Sequence, residues 1–92
     1  DAVSRELLLI KVRTDAGTRS QVLEISQIFR AKVVDASPEA TILELTGKPA
    51  KLEGFVTMLM PYGVMELART GVTSISRGKT TIQDETDYKE RI

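Results

Sequence analysis

Residues Leu7 to Val12 read Leu-Leu-Leu-Ile-Lys-Val, a run too continuous for a strand with one wet face and too short for an ordinary helix. Such a run predicts a central strand buried on both faces, and a central strand needs pairing partners on either side. The rest of the chain supplies candidates. Thr14-Asp15-Ala16-Gly17 has turn chemistry, and Thr18 followed three residues later by Gln21 has the spacing of a capping box, which predicts a helix over Arg19 to Phe29. Val22, Ile25 and Phe29 share one face of that helix with Ile28 beside them, while Arg19, Glu24 and Gln27 turn outward. Arg30 and Lys32 follow its end, where cations favour the helix dipole.

Lys32 to Ala36 and Thr41 to Thr46 read as strands joined by Ser37-Pro38-Glu39-Ala40, a hairpin in which Pro38 supplies the fixed φ of a type I turn. In the second of them Thr41, Leu43 and Leu45 alternate with Ile42, Glu44 and Thr46, the period of a sheet with one covered face. Pro49 suits the first turn of a second helix, in which Leu52, Phe55, Val56 and Leu59 fall at i, i+3, i+4 and i+7. Pro61-Tyr62-Gly63 ends it, Val64 to Thr70 reads as a fourth strand, Gly71 as a break and Val72 to Ser76 as a short fifth strand.

The order strand, helix, strand, strand, helix, strand, with right-handed crossovers over one antiparallel sheet, predicts an α+β fold, the ferredoxin-like βαββαβ plait. Both helices lie on one face in that fold, so the other face is left wanting a partner. A chain of 92 residues builds one core. The expected organisation is a linker remnant at 1–4, the plait at 5–78 and a mobile polar tail at 79–92, where periodicity is lost. The opening Asp1-Ala2-Val3-Ser4, without Met, predicts a fragment or a processed piece of something longer.

The chain has no cysteine, histidine, tryptophan or asparagine, and this narrows the chemistry. Disulfide frameworks and most zinc sites need Cys or His, and an acylphosphatase-like site on this plait needs an asparagine to place its water. Acidic residues are scattered singly, with no loop of alternating calcium ligands. Glu24, Glu44, Glu53 and Glu66 read as solvated faces, and Ser20, Ser26, Ser37, Ser74 and Ser76 lack both a histidine base and an elbow motif, so no catalytic residue is assigned.

Thirteen basic residues balance thirteen acidic ones, which removes the attraction behind most nucleic-acid and anionic-membrane binding. The strands also carry no aromatic residue on which bases could stack, because Phe29, Phe55 and Tyr62 fall in helices or at their ends. No apolar run approaches the roughly 20 residues of a membrane span. Neither nucleic acid nor membrane is therefore expected as a partner. The Asp15-Ala16-Gly17-Thr18 turn offers an alternative function, since backbone N–H groups at a helix start bind amino acids in sensing domains of this topology; one glycine is a weak signal, and an ordinary strand-to-helix turn is the favoured reading.

The ordered segments of the chain carry a resemblance. Arg5-Glu6-Leu7 with Leu9-Ile10-Lys11-Val12, Thr18-Arg19-Ser20, Ile28-Phe29-Arg30-Ala31-Lys32-Val33-Val34-Asp35, Ser37-Pro38, Thr46-Gly47, Lys51-Leu52-Glu53, Pro61-Tyr62-Gly63, Ala68-Arg69-Thr70-Gly71 and Ser76-Arg77-Gly78 run in order along it. In these segments the chain resembles the C-terminal domain of the regulatory small subunit of acetohydroxyacid synthase, also called acetolactate synthase. The resemblance implies an ACT-like, noncatalytic domain that associates with and stimulates a catalytic large subunit in the synthesis of valine, leucine and isoleucine. It places thiamine diphosphate, Mg and FAD on that large subunit and no cofactor on this chain. Valine binding in the family belongs mainly to an N-terminal ACT domain, so effector binding is not expected of this segment. Self-association is expected, in bacterial cytoplasm or, for a eukaryote, in a plastid or mitochondrion. In the usual plait order the free edges are Lys32 to Ala36 and Val64 to Thr70, which makes Arg30, Lys32, Val34, Arg69 and Thr70 the candidate partner interface.

Overall fold

A computed structural model describes residues 2–79 and realises the expected order of elements. These are β1 (Ala2–Arg13), α1 (Arg19–Phe29), β2 (Lys32–Ala36), β3 (Ala40–Gly47), α2 (Pro49–Leu59), β4 (Val64–Arg69) and β5 (Thr73–Ser76), with one 3-10 turn at Met60–Tyr62. The sheet is antiparallel in the order β2-β3-β1-β4, which is the ferredoxin-like plait, and β5 adds to the first residues of β1.

Alternation along β1 sets the layering. Leu8, Ile10 and Val12 point to the helices and stand opposite Leu45, Leu43 and Thr41 of β3, so one face of the two central strands presents a continuous apolar row. Onto it pack Val22 and Ile25 of α1 and Leu52, Phe55 and Leu59 of α2, all buried. The last three lie on one face of α2 at the spacing read from sequence, and Pro49 occupies its first turn. Phe29 and Phe55 join the two helices with ring centroids 5.1 Å apart and planes tilted by 48°. At the end of β1, Thr14 and Thr41 satisfy each other's buried hydroxyls at 3.0 Å.

Three expectations are corrected. The run Leu7 to Val12 is not covered on both sides by the described residues: Leu8, Ile10 and Val12 are buried, but Leu9 is 41% exposed, because both helices lie on the opposite face. β1 also begins at Ala2, within the segment read as a linker, because Ala2 to Arg5 pair with Ser76 to Thr73. Lastly, Thr18 and Gln21 do not form a capping box. Asp15 competes from nearer by, its Oδ1 accepting the N–H groups of Gly17 at 2.8 Å and Thr18 at 3.0 Å, while Thr18 Oγ1 accepts the N–H of Asp15 at 3.1 Å. The tail read at 79–92 lies, beyond Lys79, outside the described residues.

Phe55 fills the joint between both helices and the sheet, whereas Ile28 is 70% exposed on α1. Phe55→Ala should lower unfolding free energy by about 3–5 kcal/mol, and Ile28→Ala by less than about 0.5 kcal/mol. Urea denaturation of the two variants beside the parent chain checks the contrast.

Candidate protein-docking site

The face of the sheet away from the helices is assembled from the other set of alternating residues. Register places Lys32 of β2, Glu44 of β3, Leu9 of β1 and Ala68 of β4 in one row across it. The next row reads Asp35, Ile42, Lys11 and Glu66. Leu9, Ile42 and Ala68 thus form an apolar centre, and a shallow depression of about 240 Å³ lies among them. Lys11 and Glu66 border it as an ion pair at 3.0 Å, and both are solvated enough that the pair adds specificity more than stability. A flat surface with an apolar centre and charges of both signs has the composition of a protein interface and lacks the enclosure of a small-molecule site.

The five interface residues expected from sequence do not share one patch. Arg30 ends α1, and Lys32 and Val34 lie on β2 at one edge of the sheet. Arg69 and Thr70 lie at the far edge, separated from them by β3 and β1. Both of these are engaged inside the chain. Arg69 forks onto Glu6, with Nε donating to Oε2 at 3.0 Å and Nη2 to Oε1 at 2.8 Å, while its Nη1 donates to Glu53 of α2. Thr70 Oγ1 accepts the N–H of Leu7 at 3.1 Å and donates to the carbonyl of Gly71 at 2.9 Å.

Sequence reasoning passed over Glu6, which is only 6% exposed. Its signal was parity: Glu6 falls on the same side of β1 as Leu8, Ile10 and Val12, and a carboxylate in that register must find donors. It finds three, the third being the N–H of Gly71 at 3.1 Å. The hydrogen bonds from Arg69 outweigh the cost of burial and, with that backbone bond and the positive charge of Arg69, hold the Glu6 carboxyl below its ordinary pKa of 4.5. The same contacts, Glu6 first and Glu53 second, raise the pKa of Arg69. Glu53, read as a solvated carboxylate, is exposed yet ties α2 to this fork.

The turn before α1 is closed to the ligand role considered for it, because Asp15 already occupies the N–H groups of Gly17 and Thr18. Among the described residues no helix is long and apolar enough to cross a membrane.

Comparison with known proteins adds four findings. The family model for the small subunit of acetolactate synthase matches residues 5–78. The chain is 56% identical over 78 residues to the acetolactate synthase small subunit of Mycolicibacterium smegmatis, covering 85% of this chain and 46% of that one. It is 44% identical over 77 residues to the chloroplastic acetolactate synthase small subunit 2 of Arabidopsis thaliana, covering 84% of this chain and 16% of that one. The crystal structure of the acetolactate synthase small subunit from Thermotoga maritima superposes with a TM-score of 0.80 at 39% identity, over 87% of this chain and 49% of that one. The chain therefore spans about half the length of the bacterial relatives it matches.

A carboxylate whose pKa is depressed on folding stabilises the fold above its unfolded value and loses that contribution as pH falls through the folded one. The melting temperature should therefore hold steady above about pH 5 and fall on acidification below about pH 4.5. Glu6→Gln should melt lower than the parent at pH 7 and depend less on pH in that acidic range. Thermal melts followed by circular dichroism from pH 7 to 3 check both.

Proposed function

The chain belongs to the acetolactate synthase small-subunit family, and on that premise we propose that it is a noncatalytic regulatory domain which associates with the catalytic large subunit and stimulates it in branched-chain amino-acid synthesis. The observation that carries the proposal is the sheet face without helices. Leu9 lies in the middle of the central strand and is 41% exposed, an arrangement suited to a chain that completes its core against another protein. The same face offers a surface for self-association, because its interleaved Lys11, Lys32, Asp35, Glu44 and Glu66 give charges of both signs that a second copy can match.

In this reading the chemistry stays with the large subunit. Thiamine diphosphate, Mg and FAD are assigned there, and this chain contributes surface and rigidity. A bacterial source places the assembly in the cytoplasm and a eukaryotic one in a plastid or mitochondrion.

The chain mixed with a purified large subunit from the same organism should coelute with it in size-exclusion chromatography and raise its rate of acetolactate formation. Leu9→Lys should abolish coelution by at least about tenfold in affinity, while leaving the thermal melt within a few degrees of the parent, since the position is open to solvent. Coelution of the variant as tight as that of the parent would show that the open face is not the docking surface.

A further inference from the structure

Among the described residues Arg30 is the one non-glycine position with positive φ. Its φ of 62° and ψ of 38° put it in the left-handed helical region, where the Cβ of an L-residue crowds its own backbone. The local bonds explain the shape. The N–H of Arg30 donates to the carbonyl of Gln27 at 3.1 Å and that of Ala31 to the carbonyl of Ser26 at 2.8 Å, the paired bonds that close a helix at a position glycine usually fills. Glycine would make the same two bonds without the crowding.

The arginine side chain returns nothing for this within the chain. It is exposed, and among the described residues it makes no hydrogen bond or ion pair. Lys32, two residues on, is also exposed and forms no ion pair among the described residues, although Glu44 stands opposite it in register. Lys11 and Arg69, by contrast, already hold carboxylates of this chain. Beside the two cations in the sequence stand exposed apolar residues. Ile28 is 70% exposed, and Val33 and Val34 are exposed by nearly half, at the bulge where β2 shifts register against β3. A strained backbone that presents an unengaged charge is an outlier of the kind that points to use of the side chain.

Resting on the reading of this chain as a docking domain, we propose that Arg30 is a contact residue: with Lys32 it receives a carboxylate-bearing surface of the catalytic large subunit whose apolar part covers Ile28, Val33 and Val34. The guanidinium suits this role because it grips a carboxylate through two parallel N–H groups, and arginine is enriched among the residues that dominate interface energetics. The occupant is acidic by charge complementarity, since the corner offers two cations that no carboxylate among the described residues engages.

The test separates stability from docking. Thermal melts and biolayer interferometry against the purified large subunit from the same organism are measured for the parent, Arg30→Gly, Arg30→Lys and Arg30→Glu. Arg30→Gly should melt a few degrees higher and bind at least about tenfold more weakly. Arg30→Lys should fall between, and Arg30→Glu should bind weakest, with the differences shrinking at high salt. Arg30→Gly binding as tightly as the parent overturns the contact while leaving the docking reading intact; so does weakening confined to self-association, read by sedimentation of the chain alone. A lower melt for Arg30→Gly overturns the claim of strain, and no binding by the parent itself removes the docking reading and this contact with it.

Discussion

β1 is shared by nearly everything else in the sheet. It pairs with β3 along one side and with β4 and then β5 along the other, so its register fixes the position of each. Its alternation also divides the molecule into two chemistries. Leu8, Ile10 and Val12 anchor the helices, and Leu7, Leu9 and Lys11 form the spine of the face that no helix covers. The core and the candidate docking surface are thus opposite sides of one strand, and a one-residue slip would exchange them.

A second constraint operates where β4 gives way to β5. The two strands follow one another along β1, and between them the N–H of Thr70 still donates to the carbonyl of Leu7 at 3.1 Å while side chains supply further bonds. Thr70 Oγ1 takes the N–H of Leu7, and Glu6 takes the N–H of Gly71, whose φ of 86° carries the chain through the break. The Arg69 fork then binds that junction to Glu53 on α2. A buried carboxylate is tolerated here because all of its donors are in place, and removing one partner is costlier than never having had the pair.

Much of this was legible in the residues. The spacing of Leu52, Phe55 and Leu59 behind Pro49 defined α2, the alternation of Thr41, Leu43 and Leu45 defined the inner face of β3, and the order of elements implied the plait and its free edges. What escaped has identifiable causes. A continuous apolar run reports that both faces of a strand are apolar, but not that the described elements cover both, and Leu9 remains 41% exposed. The Thr18 and Gln21 pair matched a cap by spacing, yet Asp15 accepts the N–H of Thr18 that Gln21 would have taken, and Gln21 instead accepts the hydroxyl of Tyr62 at 3.0 Å. The interface expectation was drawn from edge position and charge, which do not reveal that Arg69 is already committed to Glu6 and Glu53 while Arg30 pairs with no described carboxylate.

The antiparallel pairing of β1 on both sides has a mechanical consequence. A pull along β1 from its amino-terminal end loads the hydrogen bonds to β3 and β4 together and in shear, whereas the same force applied across a sheet edge would peel one bond after another. The short stretch from Ala2 to Arg5 pairs, among the described residues, with β5 alone, so it is held by fewer strands than the rest of β1. A domain built this way resists a pull along its central strand more than a pull across its edge.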